Sequence, residues 1–292
     1  MKNVTPPTGD FMQLFRDLVS RKGTGTVRTL LEGMSATIQQ RYSEYHDHRT
    51  RPEQISSPNR TTAQYEALKS CYVNSRKFKA ELLATLHPGS DVRLPRCPYC
   101  QLHPATRWDH FLPSKKYPDF FVYPPNLVRS CSVCNDDIKK DQHVAPTRKT
   151  VHPYFDPLSN HQYLKCTVRI IDNRINIKFN ISTDNQSPNY STYVAAVVGK
   201  HFKTFGLARK FEAEACEKLG ALLVTVTGLA RTDRLCPSAR QITSIIEEYI
   251  RDLRRRGEGP NNWEIVFWSA ITEAGGITDF LRIKLLEQGI VD

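Results

Sequence analysis

The residues best suited to chemistry in this chain are four cysteines that occur as two Cys-x-x-Cys pairs separated by 30 residues: Cys97, Cys100, Cys131 and Cys134. Such a pair turns two thiolates inward on one tight bend, and two bends complete a tetrahedron around zinc. With sulfur at all four positions no site is left for water, so the predicted Zn²⁺ ion is structural. The alternatives are two unrelated Cys-x-x-Cys pairs or a thioredoxin-like redox pair. A thioredoxin-like pair begins a helix in a strand–helix–strand unit, and neither pair here has that setting.

Between and directly after these cysteines lie groups that can activate water or bind a hard cation. Asp109 and His110 are adjacent, Asn126 lies five residues before the third cysteine, and Asn135 follows the fourth. An imidazole near its neutral form can take a proton from water, and oxygen ligands suit magnesium. Three of these residues also have a structural interpretation, since a histidine in an aromatic-rich loop is usually structural, Asn126 can form a turn, and Asn135 can cap a helix.

The order of these residues resembles that of the HNH, or ββα-metal, endonucleases, in the subgroup whose small domain carries a four-cysteine zinc site. The resemblance covers residues 97–140 and rests on CPYC, WDHFLP and NLVRSCSVCNDDIKK. It implies a small nuclease core that hydrolyses phosphodiester bonds with the help of a divalent ion.

The resemblance also implies a role for each residue. His110 takes the position of the general base, and Asp109 and Asn135 bind a catalytic Mg²⁺ or Mn²⁺ ion. Asn135 stands where many relatives carry a histidine, and an amide oxygen suits these ions better than an imidazole does. Asn126 takes the position whose amide fixes the loop that carries the base, so it is expected to orient His110 without touching the metal.

Further residues are candidates for contacts with nucleic acid. Lysines that flank the motif can bind phosphates or simply face solvent, and a histidine in the following HPYFD segment can lie near a phosphate or pack in the interior. These candidates are Lys115, Lys116, Lys139, Lys140 and His152. The arginine-rich run at 251–256 has the same two interpretations, a phosphate contact or a solvated helix end.

The net charge of +11 is concentrated in the first half of the chain. Residues 1–150 carry a net charge of +9 and residues 151–292 a net charge of +2, which favours a polyanionic partner near the cysteines. No run of about 18 apolar residues occurs, and no apolar signal core lies near the first residue. We therefore expect a cytoplasmic protein that does not contact a membrane.

Hydrophobic spacing predicts helices on both sides of the cysteine segment and one hairpin after it. Three helices are expected before the segment: Asp10–Leu18, Val27–Tyr42 and Thr61–Leu86. Alternation on either side of Asp172-Asn173 predicts a β-hairpin over Tyr163–Ser182. Five helices are expected afterwards, at about 190–204, 206–227, 238–256, 262–273 and 276–287.

The expected fold class is therefore α+β, a mostly helical chain with a central zinc-pinned ββα-metal core and a following β-hairpin. The expected division is an N-terminal helical region at 1–90, the nuclease core at 91–150, and the hairpin with C-terminal helices at 151–292.

These features predict a metal-dependent endonuclease that cuts DNA, with RNA as an alternative substrate, in host defence or restriction. The order of an HNH core, an HPYFD segment and helices is similar to that of HNH subunits paired with ATPases in bacterial antiphage systems such as Septu, which implies a protein partner. The chain has no GxxxxGK loop, so any use of ATP would belong to that partner. The alternative is a zinc-stabilised subunit that binds nucleic acid or a partner through an inactive HNH site.

Overall fold

A computed structural model describes residues 1–86, 95–139, 148–158, 161–182, 192–233 and 236–287. Over these residues the fold is mixed α+β, with two small antiparallel sheets. The chain divides into two compact units, Asn3–Pro157 together with Met1, and Leu158–Asp292 together with Lys2. None of the helices in the described ranges combines the length and the apolar character needed to cross a membrane.

Within residues 1–86 the structure has five α-helices: α1 (Phe11–Ser20), α2 (Thr26–Gly33), α3 (Ser35–Asp47), α4 (Thr62–Val73) and α5 (Arg76–Leu86). The predicted cap of α1 is confirmed, because the Asp10 carboxylate accepts a hydrogen bond from the Gln13 amide at 2.8 Å. Two predicted helices are each divided, the first at Met34 and the second at Asn74 and Ser75. Glycine before the first break and polar side chains at the second disfavour a continuous helix.

The N-terminal helices and the cysteine segment share one hydrophobic core. The ring of Tyr45 on α3 lies 5.0 Å from Phe120 and 5.1 Å from Tyr123, both in the later segment. The buried Asp119 carboxylate pairs with the guanidinium of Arg41 at 3.0 Å and with that of Arg60 at 2.8 Å. The helices therefore support the loop on which the predicted site is built.

The cysteine segment contains a short antiparallel pair, β1 (Arg107–His110) and β2 (Leu127–Ser130). The connecting loop, residues 111–126, joins the two strands. A π-helical segment, Val133–Lys139, follows β2 after two residues. The chain order here is strand, strand and helix, with one cysteine pair before β1 and the other after β2.

The second unit begins with the hairpin β3 (Leu164–Ile171) and β4 (Arg174–Ile181), which confirms the sequence prediction. Asp172 and Asn173 form its turn with φ of 48° and 58°, values that these residue types tolerate better than most. The helices that follow match the predicted ones, except that the second extends further: α6 (Thr192–Thr204), α7 (Leu207–Asp233), α8 (Ala239–Arg255), α9 (Trp263–Glu273) and α10 (Ile277–Glu287).

Candidate active site and metal centre

The four paired cysteines form one buried sulfur cluster. Every Sγ atom lies within 4.8 Å of the others, and Cys100 Sγ lies 3.9 Å from Cys131 Sγ. A tetrahedron with zinc–sulfur bonds of about 2.3 Å has sulfur–sulfur edges of about 3.8 Å. The donor set therefore fits a structural zinc ion, which this cluster could hold through Cys97, Cys100, Cys131 and Cys134.

Backbone amides support the sulfur atoms in both cysteine bends. The amide of Leu102 donates to Cys100 Sγ, and the amide of Cys134 donates to Cys131 Sγ, each at 3.4 Å. Hydrogen bonds among the thiols lower the pKa of Cys100 and raise that of Cys134. The two backbone amides stabilise a thiolate on Cys100 and on Cys131, which is the form that binds zinc.

The Asp109 carboxylate is buried, and both of its oxygens have partners. Oδ2 accepts a hydrogen bond from the Tyr99 hydroxyl at 2.6 Å, and Oδ1 pairs with Lys139 Nζ at 3.0 Å. Lys139 also donates to the His110 carbonyl at 2.9 Å. Because Tyr99 belongs to the first cysteine bend and Lys139 follows the second, Asp109 connects both bends to β1.

The contacts of Asp109 and Asn135 bear on the expected catalytic ion. The Asn135 amide donates to the Asp136 carboxylate at 2.7 Å and makes no hydrogen bond with Asp109. Each Asp109 oxygen accepts one hydrogen bond, so an ion bound there would have to share that oxygen with Lys139 or Tyr99. We assign no reaction step to an ion between Asp109 and Asn135.

The His110 side chain leaves β1 on the face opposite to Asp109, because successive residues of a strand alternate. Its Nε2 atom lies 3.0 Å from the Phe121 carbonyl oxygen. A carbonyl can only accept, so Nε2 carries the proton and Nδ1 keeps its lone pair. Nδ1 has no hydrogen bond within the part of the chain that the structure describes. Burial, opposed by the bond to Phe121, lowers the pKa of His110 to about 4, so the ring is neutral at pH 7.

Asn126 is fully buried and fixes the connecting loop. Its Oδ1 accepts from the Leu112 amide at 2.7 Å, and its Nδ2 donates to the Leu112 carbonyl at 3.2 Å and to the Phe120 carbonyl at 3.5 Å. The next carbonyl along the chain is that of Phe121, which orients His110. Asn126 therefore positions the imidazole indirectly, by fixing the loop that carries the Phe121 carbonyl.

Two residues predicted to contact nucleic acid lie in the interior. His152 is 0% exposed, its Nε2 lies 3.0 Å from the Tyr45 hydroxyl, and its ring lies 4.0 Å from that of Phe111. Lys139 is 2% exposed because it pairs with Asp109. Neither side chain is open to a phosphate, so the packing alternative applies to His152, and Lys139 is a partner of Asp109.

The other predicted phosphate contacts differ among themselves. Lys115 and Lys116 are exposed, as a phosphate contact or a solvated surface both require. Lys140 lies outside the described residues. In the arginine run, Arg251 and Arg255 both pair with Glu248, at 2.8 Å and 3.1 Å. Both arginines thus pair with a carboxylate of their own helix, which agrees with the interpretation of this run as a solvated helix end.

Residues from the N-terminal helices complete the surroundings of His110, and sequence reasoning did not find them. The Tyr72 ring of α4, predicted only as part of a buried stripe, lies 4.6 Å from the imidazole. Lys79 of α5 lies over Tyr72, with Nζ 4.0 Å from the ring centroid. Arg129 lies two residues from Leu127 on β2, and this spacing could have predicted that the two side chains share one face of the sheet. No local feature of the sequence predicts that Lys79 lies near His110.

Lys139→Met is expected to destabilise the protein by about 3–5 kcal/mol, because it leaves the buried Asp109 carboxylate without its cation. The control Lys116→Met removes an exposed lysine and should change stability by less than about 0.5 kcal/mol. Urea unfolding measures both values. The double variant Lys139→Met/Asp109→Asn should recover part of the loss, whereas an unchanged unfolding midpoint in Lys139→Met would contradict the assigned pair.

Comparison with known proteins gives a distant similarity. Protein ea31 of Escherichia phage lambda is 24% identical to this chain over 224 residues, which are 74% of this chain and 73% of the phage protein. No family model matches the chain, and no solved structure matches it significantly. At this level of identity the similarity to the phage protein establishes neither a family nor an activity.

Proposed function

We propose that this protein is an HNH-type endonuclease that hydrolyses phosphodiester bonds in DNA with His110 as the general base. The observation that carries the proposal is the neutral imidazole whose Nε2 is held by the Phe121 carbonyl, while Nδ1 accepts no hydrogen bond from the described residues. The strand–strand–helix order and the buried cysteine cluster support it, since they agree with the architecture that the sequence resemblance implies.

In the proposed reaction His110 Nδ1 takes a proton from a water molecule as the water oxygen forms a bond to phosphorus. The bond from phosphorus to the leaving sugar oxygen breaks, and that oxygen takes up a proton from solvent. The products are a phosphate monoester and a free hydroxyl group. A general base contributes about 10²–10⁴-fold, so charge stabilisation around the phosphate must contribute as well.

A divalent ion would supply part of this stabilisation by neutralising charge on the leaving oxygen. Both Asp109 oxygens already accept one hydrogen bond, so the proposed steps are assigned to groups of the chain itself. Dependence on Mg²⁺ or Mn²⁺ remains an expectation from the resemblance, and it is tested separately from the role of His110.

We further propose that the nuclease acts in defence or restriction together with a protein partner such as an ATPase. The support comes from the sequence, namely the similarity of its general plan to ATPase-paired HNH subunits and the absence of a GxxxxGK loop. RNA is the alternative substrate, because a phosphodiester is common to both nucleic acids.

The Asp109 contacts favour one competing function, a zinc-stabilised subunit that binds nucleic acid or a partner and does not cut. In that case Asp109 serves only to connect the cysteine bends to β1 and binds no catalytic ion. The two functions differ in whether the purified protein cleaves.

Cleavage of supercoiled plasmid and of total RNA tests the proposal, each with Mg²⁺, with Mn²⁺ and with excess EDTA. The wild-type protein should nick or linearise the plasmid, and His110→Ala should not. His46→Ala, which removes an exposed histidine on α3, is the matched control and should cut normally. Binding without cleavage under every condition would favour the competing function. Undiminished cleavage in EDTA would contradict the metal dependence.

A further inference from the structure

We propose that Lys79 and Arg129 bind the scissile phosphate beside His110, on the face of the β1–β2 sheet opposite to Asp109. This inference rests on the proposed endonuclease function and identifies the groups that recognise its substrate. The sequence resemblance assigns no role to either residue, and Lys79 lies on α5, outside the residues that the resemblance covers.

The pairing of the strands places the base and a guanidinium on one face. Trp108 and His110 are two residues apart on β1, Leu127 and Arg129 are two apart on β2, and Trp108 pairs with Arg129 while His110 pairs with Leu127. Of these four side chains only Leu127 is fully buried. The face is therefore partly open to a ligand, whereas Asp109 on the other face is enclosed by Tyr99 and Lys139.

Arg129 is positioned on this face and pairs with no carboxylate in the described part of the chain. Its guanidinium lies 5.0 Å from the centroid of the Trp108 ring, and Nη2 donates to the Ala105 carbonyl at 2.9 Å. Its Nε is buried without a hydrogen-bond partner among the described residues, so donors toward a phosphate would have to come from the Nη groups of this half-buried side chain. A guanidinium that is held by stacking on an aromatic ring is suited to the oxygens of a phosphate.

Helix α5 supplies the second cation. Lys79 Nζ lies 4.0 Å from the centroid of the Tyr72 ring, and the His110 ring lies 4.6 Å from the same centroid, so the ammonium lies near the imidazole. Lys79 makes no ion pair with any residue in the described ranges, and burial lowers its pKa. By contrast Lys77, two residues earlier, is exposed and pairs with Glu81 at 3.8 Å.

Unpaired cations next to a general base stabilise the reaction that the base begins. A phosphodiester carries one negative charge and gains further charge as hydroxide adds to phosphorus, so nearby cations lower the energy of the transition state more than that of the substrate. A cation that is already paired with a carboxylate stabilises the transition state less. Lys139, which pairs with Asp109, is such a cation. Lys79 and Arg129 are not neutralised in this way.

The test compares Lys79→Met with Lys77→Met, and Arg129→Gln with Arg107→Gln, by single-turnover cleavage of a labelled DNA duplex. Arg107 is the matched arginine, exposed and paired with Asp136 at 3.7 Å. Lys79→Met and Arg129→Gln should each lower kcat/KM on the order of 10- to 100-fold. The slope of log Kd against log salt should decrease by about 0.9 for each lost phosphate contact. The controls should stay within about twofold of wild type.

Lys79→Arg separates a role of the charge from a role in packing, because it keeps the cation and should recover most of the rate. Lys79→Met with wild-type kinetics, beside an active wild type, would overturn the phosphate assignment and leave the nuclease proposal standing. An inactive wild type would instead overturn the proposed function and this assignment with it. If Arg129→Gln fails to fold, the Lys79 series alone decides.

Discussion

Cys131→Ser is expected to leave the protein without bound zinc and to unfold the segment around β1 and β2. A serine hydroxyl does not replace a thiolate ligand, and three buried thiolates cannot stay ionised without a cation. Structural zinc binding supplies about 10–16 kcal/mol in small zinc domains, more than the stability of most domains. Metal content measured by mass spectrometry should fall from about one zinc per wild-type chain to almost none.

Cys216→Ser is the matched control, because Cys216 is an exposed cysteine outside the cluster. It should bind zinc and unfold like the wild type. A Cys131→Ser protein that is well folded without zinc would show that the cluster does not need a metal. Full zinc content in that variant would show that Cys131 is not a ligand.

The loss of zinc should also disturb the candidate active site, because the partners of Asp109 lie next to the cysteines. Tyr99 lies between the two cysteines of the first bend, and Lys139 follows the second bend, so both partners of Asp109 depend on the cluster for their positions. If the bends open, the buried carboxylate loses both contacts, and the strand that carries His110 loses its anchor. Hydrogen exchange of the β1 and β2 amides should therefore accelerate in Cys131→Ser more than exchange in α8.

The sequence predicts those parts of the fold that local signals determine. The cap at Asp10 and the turn at Asp172-Asn173 are set by neighbouring residues, and the structure has both. The cysteine cluster is equally predictable, because the Cys-x-x-Cys spacing itself forces two sulfurs together. The breaks at Met34 and Asn74 were not predicted, because the apolar stripe continues on both sides of each break while both helices pack on one core.

The surroundings of the candidate site were less predictable, since they depend on contacts between residues distant in sequence. Lys139 lies 30 residues from Asp109, and nothing in the spacing shows that it returns to that carboxylate. His152 fits the pattern of a functional histidine but lies inside an aromatic cluster that includes Tyr45. Lys79 comes near the base through Tyr72 of α4, a contact between two helices that a motif cannot indicate.

His110→Ala is expected to lower kcat/KM by about 10²–10⁴-fold with little change in stability. The substitution removes the acceptor for the water proton, and water alone is a poor base. The Phe121 carbonyl loses its donor, which costs about 1 kcal/mol, but Asn126 still fixes the loop. Zinc content and the unfolding midpoint should therefore stay close to those of the wild type, whereas a variant that cuts at the wild-type rate would remove His110 from the reaction.

The pH dependence distinguishes a base from a structural residue at this position. A base works only when deprotonated, and the pKa of His110 is lowered to about 4, so wild-type kcat/KM should be constant down to about pH 5 and fall below it. An unperturbed histidine would give a fall near pH 6.5. The residual activity of His110→Ala should lack this acid limb, because the titrating group is gone. A purely structural histidine would change the size of kcat/KM and leave the shape of the profile as it was.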